Sequence, residues 1–140
     1  MKQQDFAQAV AEIVRADPRY TPEAYAFVSD AVAFTTRKLS KAGNRPRQQH
    51  ISGRELLDGI REYALEQFGP LTLEVLREWG IQDSMAIGHI VFNMVDRQLL
   101  GKSEQDSLAD FADGLDFTEA FARPFQPASP QAAPPPPVIA

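Results

Sequence analysis

From Phe6 to Val95 the apolar residues recur at three- and four-residue intervals, and each run stops at a glycine or a proline. That is the period of an α-helix with one buried face, so the chain is restricted to helix packed on helix. In the first run Phe6, Val10, Ile13 and Val14 form one stripe behind a capping Asp5, ending before Asp17-Pro18. The second opens on Thr21-Pro22, an N-cap followed by a first-turn proline. Its stripe of Tyr25, Val28, Val32, Thr35 and Leu39, widened by Phe27, Ala31 and Phe34, predicts a central helix.

Gly43, Asn44 and Pro46 mark a loop over residues 41–49, after which the signals sharpen. Ser52-Gly53-Arg54-Glu55 is a capping box, and Ile51 and Leu56 occupy the positions of a hydrophobic staple. Leu56, Leu57, Ile60, Tyr63, Ala64 and Phe68 supply the buried face of this third helix until Gly69, and Pro70 opens a fourth with Val75, Leu76 and Trp79 inward. Trp79-Gly80-Ile81 is spaced for a Schellman exit. Asp83 or Ser84 caps a fifth helix, predicted to reach Leu100, in which Gly88 permits close approach. Ser103 to Asp110 reads as a weak helix and Asp116 to Glu119 as a second capping-box match, with Phe111, Phe117 and Phe121 available to pin that segment down.

The expected architecture is therefore mainly α, a compact multi-helix domain over residues 1–124. Seven of the eleven prolines lie between Pro124 and Pro137, and residues 125–140 carry no charge, so this segment is expected to be a disordered Pro/Ala-rich tail. Pro127-Ala128-Ser129-Pro130 has PxxP spacing, yet no basic residue flanks it to orient a ligand. With 44% apolar residues the domain has ample material for a core, and Trp79 and the phenylalanines fall at core spacing. No secretory signature and no long apolar run appear, which makes a cytoplasmic protein without a membrane partner the expectation.

A net charge of −5 disfavours general affinity for nucleic acid, but it is unevenly spread. Arg37, Lys38, Lys41, Arg45, Arg47 and Arg54 form a basic block over residues 37–54 with no acid among them. Residues 103–122 hold Glu104, Asp106, Asp110, Asp113, Asp116 and Glu119 with no base. Three arrangements compete: the acidic segment folds back on the basic one, the basic block meets an anionic partner, or both are solvated.

The order of helix 71–79, turn 80–83, helix 84–100 and a hairpin around 101–117 resembles the layout of winged-helix proteins. Only His89, Asn93, Arg97 and Gln98 would serve as polar readers on its recognition helix, and its wing would be acidic. A winged-helix-like protein-interaction domain fits that charge better than a reader of DNA.

Catalysis finds little support. His50 and His89 lack metal-binding spacing, and no nucleophile elbow or phosphate loop is present. His50 is expected to make a loop hydrogen bond, and His89 to sit at an exposed or edge position. Asp106, Asp110, Asp113 and Asp116 recur every three or four residues rather than at calcium-loop positions. Without cysteine there is no thiol chemistry. No cofactor and no metal are expected.

His50-Ile51-Ser52-Gly53-Arg54-Glu55-Leu56-Leu57, continued by Gly59 to Pro70, resembles a family of hypothetical proteins best represented in planctomycete and verrucomicrobial bacteria. Asp17-Pro18-Arg19-Tyr20, Glu78-Trp79-Gly80-Ile81, Ile90-Val91-Phe92-Asn93 and Asp110-Phe111 with Phe117, Ala120 and Phe121 agree in the same order. The resemblance implies no activity, cofactor or catalytic residue, and the tail lies outside it. The expected function is a non-enzymatic interaction or regulatory module with a protein partner. The alternative is nucleic-acid binding through the basic block or the winged-helix-like half.

Overall fold

Caps read from the sequence are made in the structure, a computed structural model that describes residues 5–41, 51–101, 108–112 and 114–126. Asp5 accepts from the Ala7 N–H at the start of α1 (Phe6–Ala16). Thr21 Oγ1 accepts from the Ala24 N–H at 3.4 Å and opens α2 (Pro22–Lys41). Ser52 and Glu55 exchange both capping-box bonds, at 3.1 and 2.9 Å, before α3 (Gly53–Phe68). These bonds satisfy N–H groups that have no partner inside the helix.

A 3-10 turn, Gly69–Leu71, carries Pro70 and leads into α4 (Thr72–Glu78). Thr72 is fully buried, and its hydroxyl is placed to donate to the Gly69 carbonyl at 2.6 Å and the Ala64 carbonyl at 3.3 Å. The expected Schellman exit follows. Ile81 N–H reaches the Leu76 carbonyl at 2.8 Å and Gly80 N–H the Arg77 carbonyl at 3.0 Å, with Gly80 at φ +91°.

Asp83 caps α5 (Ser84–Asp96) by accepting from the Ala86 N–H at 2.9 Å. This helix stops at Asp96 rather than Leu100. Gln98 takes φ +62°, its N–H turns to the Val95 carbonyl, and Leu99 N–H reaches the Met94 carbonyl, both at 2.9 Å. A second Schellman motif therefore ends α5, with glutamine where glycine is usual.

Central α2 packs against α1, α3 and α5. It runs antiparallel to α3, with Phe27 against Phe68 at one end and Thr35 against Gly59 toward the other. A Cβ on Gly59 would lie 1.8 Å from Thr35 Oγ1, so glycine sets the separation of the two helices. Tyr25, Val28, Leu57, Ile60, Leu76, Ile87 and Ile90 fill the core. The ring of Phe27 stands 5.5 to 5.8 Å from those of Tyr63, Phe68 and Trp79, which places Trp79 in packing.

Beyond α5 lie α6 (Ala109–Ala112), a π-helical turn over Thr118–Ala122 and a 3-10 turn over Arg123–Phe125. Phe111 anchors α6. It is 2% exposed, stands edge-on to Phe92 and packs over Gly88, while its carbonyl accepts from Ser84 Oγ. Gly88 thus admits a side chain rather than another backbone. Asp116 Oδ1 accepts from the N–H groups of Thr118 and Glu119, but Glu119 pairs with Arg123 instead of completing the box.

The hairpin expected around 101–117 needs correction where the chain is described, because α6 occupies Ala109–Ala112 and the described residues contain no strand; residues 102–107 and 113 fall outside them. Phe111 is held from two sides by helical partners, which fixes a helical turn there. The PxxP motif at 127–130 falls outside the described residues. No described helix is long and apolar enough to cross a membrane.

Candidate functional site

His89 and Asn93 on α5 and Arg97, the residue at its C-cap, follow one another at four-residue spacing, so they share one edge. Each reaches into α1, the turn after it, or the first turn of α2. His89 Nδ1 lies 2.8 Å from Tyr20 Oη and 3.2 Å from Arg19 Nη1. A guanidinium can only donate, so Nδ1 is the acceptor in its pair with Arg19. Asn93 Nδ2 donates to Asp17 Oδ2 and to Tyr25 Oη, each at 3.0 Å. Arg97 forms an ion pair with Glu12.

Asp17 is the hub of this polar edge. Arg19 grips it in two-pronged fashion, Nε to Oδ1 at 2.8 Å and Nη2 to Oδ2 at 2.7 Å. That grip holds the Asp17 carboxyl well below the usual carboxylate range; Asn93 adds to the effect and partial burial opposes it. The same bond raises Arg19 further above its ordinary value. Arg19 also lies over the Tyr20 ring at 5.3 Å. Burial raises the hydroxyl groups of Tyr20 and Tyr25, opposed at Tyr25 by the Asn93 bond.

Three of the four side chains expected to read bases are therefore engaged within the molecule. Ser84, Ala86, Ile87, Gly88, Ile90 and Met94 on the same helix are buried. A recognition helix projects free donors into a groove, whereas α5 is a core helix with a polar seam. His89 is half-buried with two partners, at the edge position expected of it.

Among the described residues no cluster of three or more His, Asp or Glu could hold a metal ion. A cleft of about 630 Å³ lies between the N-terminus of α5 and the π-helical turn, lined by Gln82, Asp83, Ser84, Ala112, Leu115, Asp116, Phe117 and Thr118. Its two carboxylates, Asp83 and Asp116, are helix caps whose charge also repels an anion.

Of the six basic residues singled out by sequence, the structure places four. Arg37, Lys38 and Lys41 occupy the last turns of α2, and Arg54 the first turn of α3. Thr35 stands opposite Gly59, and carrying that antiparallel pairing to the end of the hairpin sets Lys41 level with Gly53-Arg54. Lys38 is paired with Glu62 across the hairpin. Arg37, Lys41 and Arg54 are exposed and have no carboxylate partner among the described residues. Arg45, Arg47 and His50 fall outside the described residues.

The seam centred on Asp17 was missed by sequence reasoning. Its one available signal was the four-residue spacing of His89, Asn93 and Arg97, whose partners lie far away in the chain. No family model, no curated protein and no solved structure matches the chain.

Proposed function

We propose that this protein is a cytoplasmic, non-enzymatic interaction module that binds an acidic protein segment at the basic end of the α2–α3 hairpin. The observation that carries the reading is that Arg37 and Lys41 in the last turns of α2 and Arg54 in the first turn of α3 are exposed and without carboxylate partners among the described residues, on a chain of net charge −5. In such a chain, cations left unneutralised at one end create a local field of opposite sign to the whole. That field steers an anionic partner to one place and one orientation. Lys38 contributes less because Glu62 already neutralises it.

The polar seam on α5 is the poorer candidate for a charged partner, because His89, Asn93 and Arg97 are engaged internally. Regulation would act through the same surface.

Fluorescence anisotropy with labelled polyglutamate, and separately with mixed-sequence DNA and RNA, tests the reading. Binding of polyglutamate that weakens steeply with salt, and is lost in Arg37→Gln/Lys41→Gln/Arg54→Gln, supports it. Nucleic acid binding more tightly than polyglutamate through the same residues would transfer the surface to a phosphate backbone. No salt-sensitive binding to either would overturn the reading.

A further inference from the structure

Of the cations at the hairpin end, Lys38 is the one that has a carboxylate partner among the described residues, Glu62 on α3. Lys41 lies one turn beyond both Arg37 and Lys38, at i,i+4 and i,i+3, so it neighbours each on the surface of α2. Arg54 is in the first turn of α3, and Glu62 stands two turns farther along, roughly 12 Å at the helical rise. An acidic segment drawn to Arg37, Lys41 and Arg54 therefore arrives beside Lys38 and finds Glu62 already on it.

The Lys38–Glu62 pair is open to solvent, with side chains 52% and 42% exposed. In water such a pair is held only a little better than its two hydrated ions apart. A carboxylate of a partner can therefore take the place of Glu62 on Lys38 at small cost. Until it does, the pair offers the partner no net charge, and once displaced, Glu62 remains beside the incoming segment as a like charge.

We infer, resting on the function proposed above, that Glu62 is a specificity-determining residue of this surface: by holding Lys38 it selects for segments dense enough in carboxylates to displace it. A segment with a single carboxylate is served by the free cations and leaves the pair intact. A run of consecutive carboxylates has acids to spare for Lys38 and adds a fourth cation to Arg37, Lys41 and Arg54. The repulsion from Glu62 is the element that works against sparsely acidic segments.

The experiment measures polyglutamate affinity by anisotropy at low and high salt for the full chain, Glu62→Gln, Lys38→Gln, the two together, and Glu66→Gln. Glutamine suits a helix, so these surface changes keep the fold. Glu66→Gln makes the same change in net charge one turn farther along α3 and releases no cation, since Glu66 has no basic partner among the described residues. Glu62→Gln is expected to tighten binding by about two- to fivefold at low salt, the range of an exposed charge pair. Glu66→Gln should change affinity less. Lys38→Gln should weaken binding more in the Glu62→Gln chain than in the full chain, because only there does the peptide gain Lys38 without displacing Glu62. Both effects should fade at high salt. Equal losses from Lys38→Gln in the two backgrounds, or equal gains from Glu62→Gln and Glu66→Gln, would overturn the role of Glu62. The surface would still stand in that case if Arg37→Gln/Lys41→Gln/Arg54→Gln abolishes binding. Absence of polyglutamate binding in both the full chain and Glu62→Gln would overturn the surface itself and the role of Glu62 with it.

Discussion

Asn93 Nδ2 donates to Asp17 Oδ2 at 3.0 Å although 76 residues separate the two. The same nitrogen donates to Tyr25 Oη, so one amide ties the end of α1 and the start of α2 to α5. With His89 and Arg97 one turn to either side, the seam fixes how the first two helices sit on the fifth.

Removing the amide is costly because both acceptors lose their donor in a part-buried place. Asn93→Ala is expected to destabilise the fold by about 1–3 kcal/mol, the usual cost of leaving a buried hydrogen-bonding partner unsatisfied. Asn93→Asp should cost more, since it sets a second carboxylate against Asp17. Urea denaturation of the three proteins at neutral pH checks the order.

Acid should weaken the seam through Asp17. Arg19 depresses its folded-state pKa below the unfolded value, so its stabilising contribution is complete above the ordinary carboxylate range near about 4. The contribution drains away as the pH falls from there toward the folded value. Asp17→Asn is expected to be less stable at neutral pH and to lose less on acidification. Urea midpoints below pH 4, set against those at neutrality, test this.

At the alkaline end the sign reverses. Burial raises all three tyrosines, Tyr20, Tyr25 and Tyr63, so the folded chain keeps their protons where the unfolded chain releases them. Their contribution is complete below the unfolded value of about 10 and is lost as pH rises beyond it. Tyrosinate absorbance of the native protein should therefore lag that of the urea-unfolded chain, and its rise should coincide with loss of helical circular dichroism.

Gln98→Gly should stabilise the protein by about 1 kcal/mol, because a side chain at positive φ carries a steric penalty that glycine lacks. Gly59→Ala should do the opposite, by about 2–3 kcal/mol, since its Cβ would run into Thr35 at the closest approach of α2 and α3. Thermal unfolding of both variants reads the two signs.

The helices were legible where their signals are local. The Ser52–Glu55 box and the Gly80 exit each close within one turn of chain, so spacing alone specifies them. The end of α5 was not legible because glutamine occupies the left-handed position that glycine normally announces. The winged-helix layout suggested a hairpin around 101–117 beside a weak helical pattern, yet Phe111 is held by Ser84, Gly88 and Phe92, all remote in sequence, and a helical turn stands at Ala109–Ala112. The same distance hid the seam: four-residue spacing put His89, Asn93 and Arg97 on one edge, but not what that edge faced. For the candidate surface, the sequence marked the basic block, while the pairing of Lys38 with Glu62 and the approach of Asp110 to Gly53 depend on tertiary packing.

The central claim is that an acidic partner meets the hairpin end and leaves the α5 edge untouched. Backbone amide shifts of the isotope-labelled protein, followed by NMR during titration with polyglutamate, test it most directly. The account predicts salt-sensitive shifts concentrated at Arg37, Lys41 and Arg54, with His89, Asn93 and Arg97 unmoved. Shifts centred on the α5 edge, or none at saturating peptide, would contradict it.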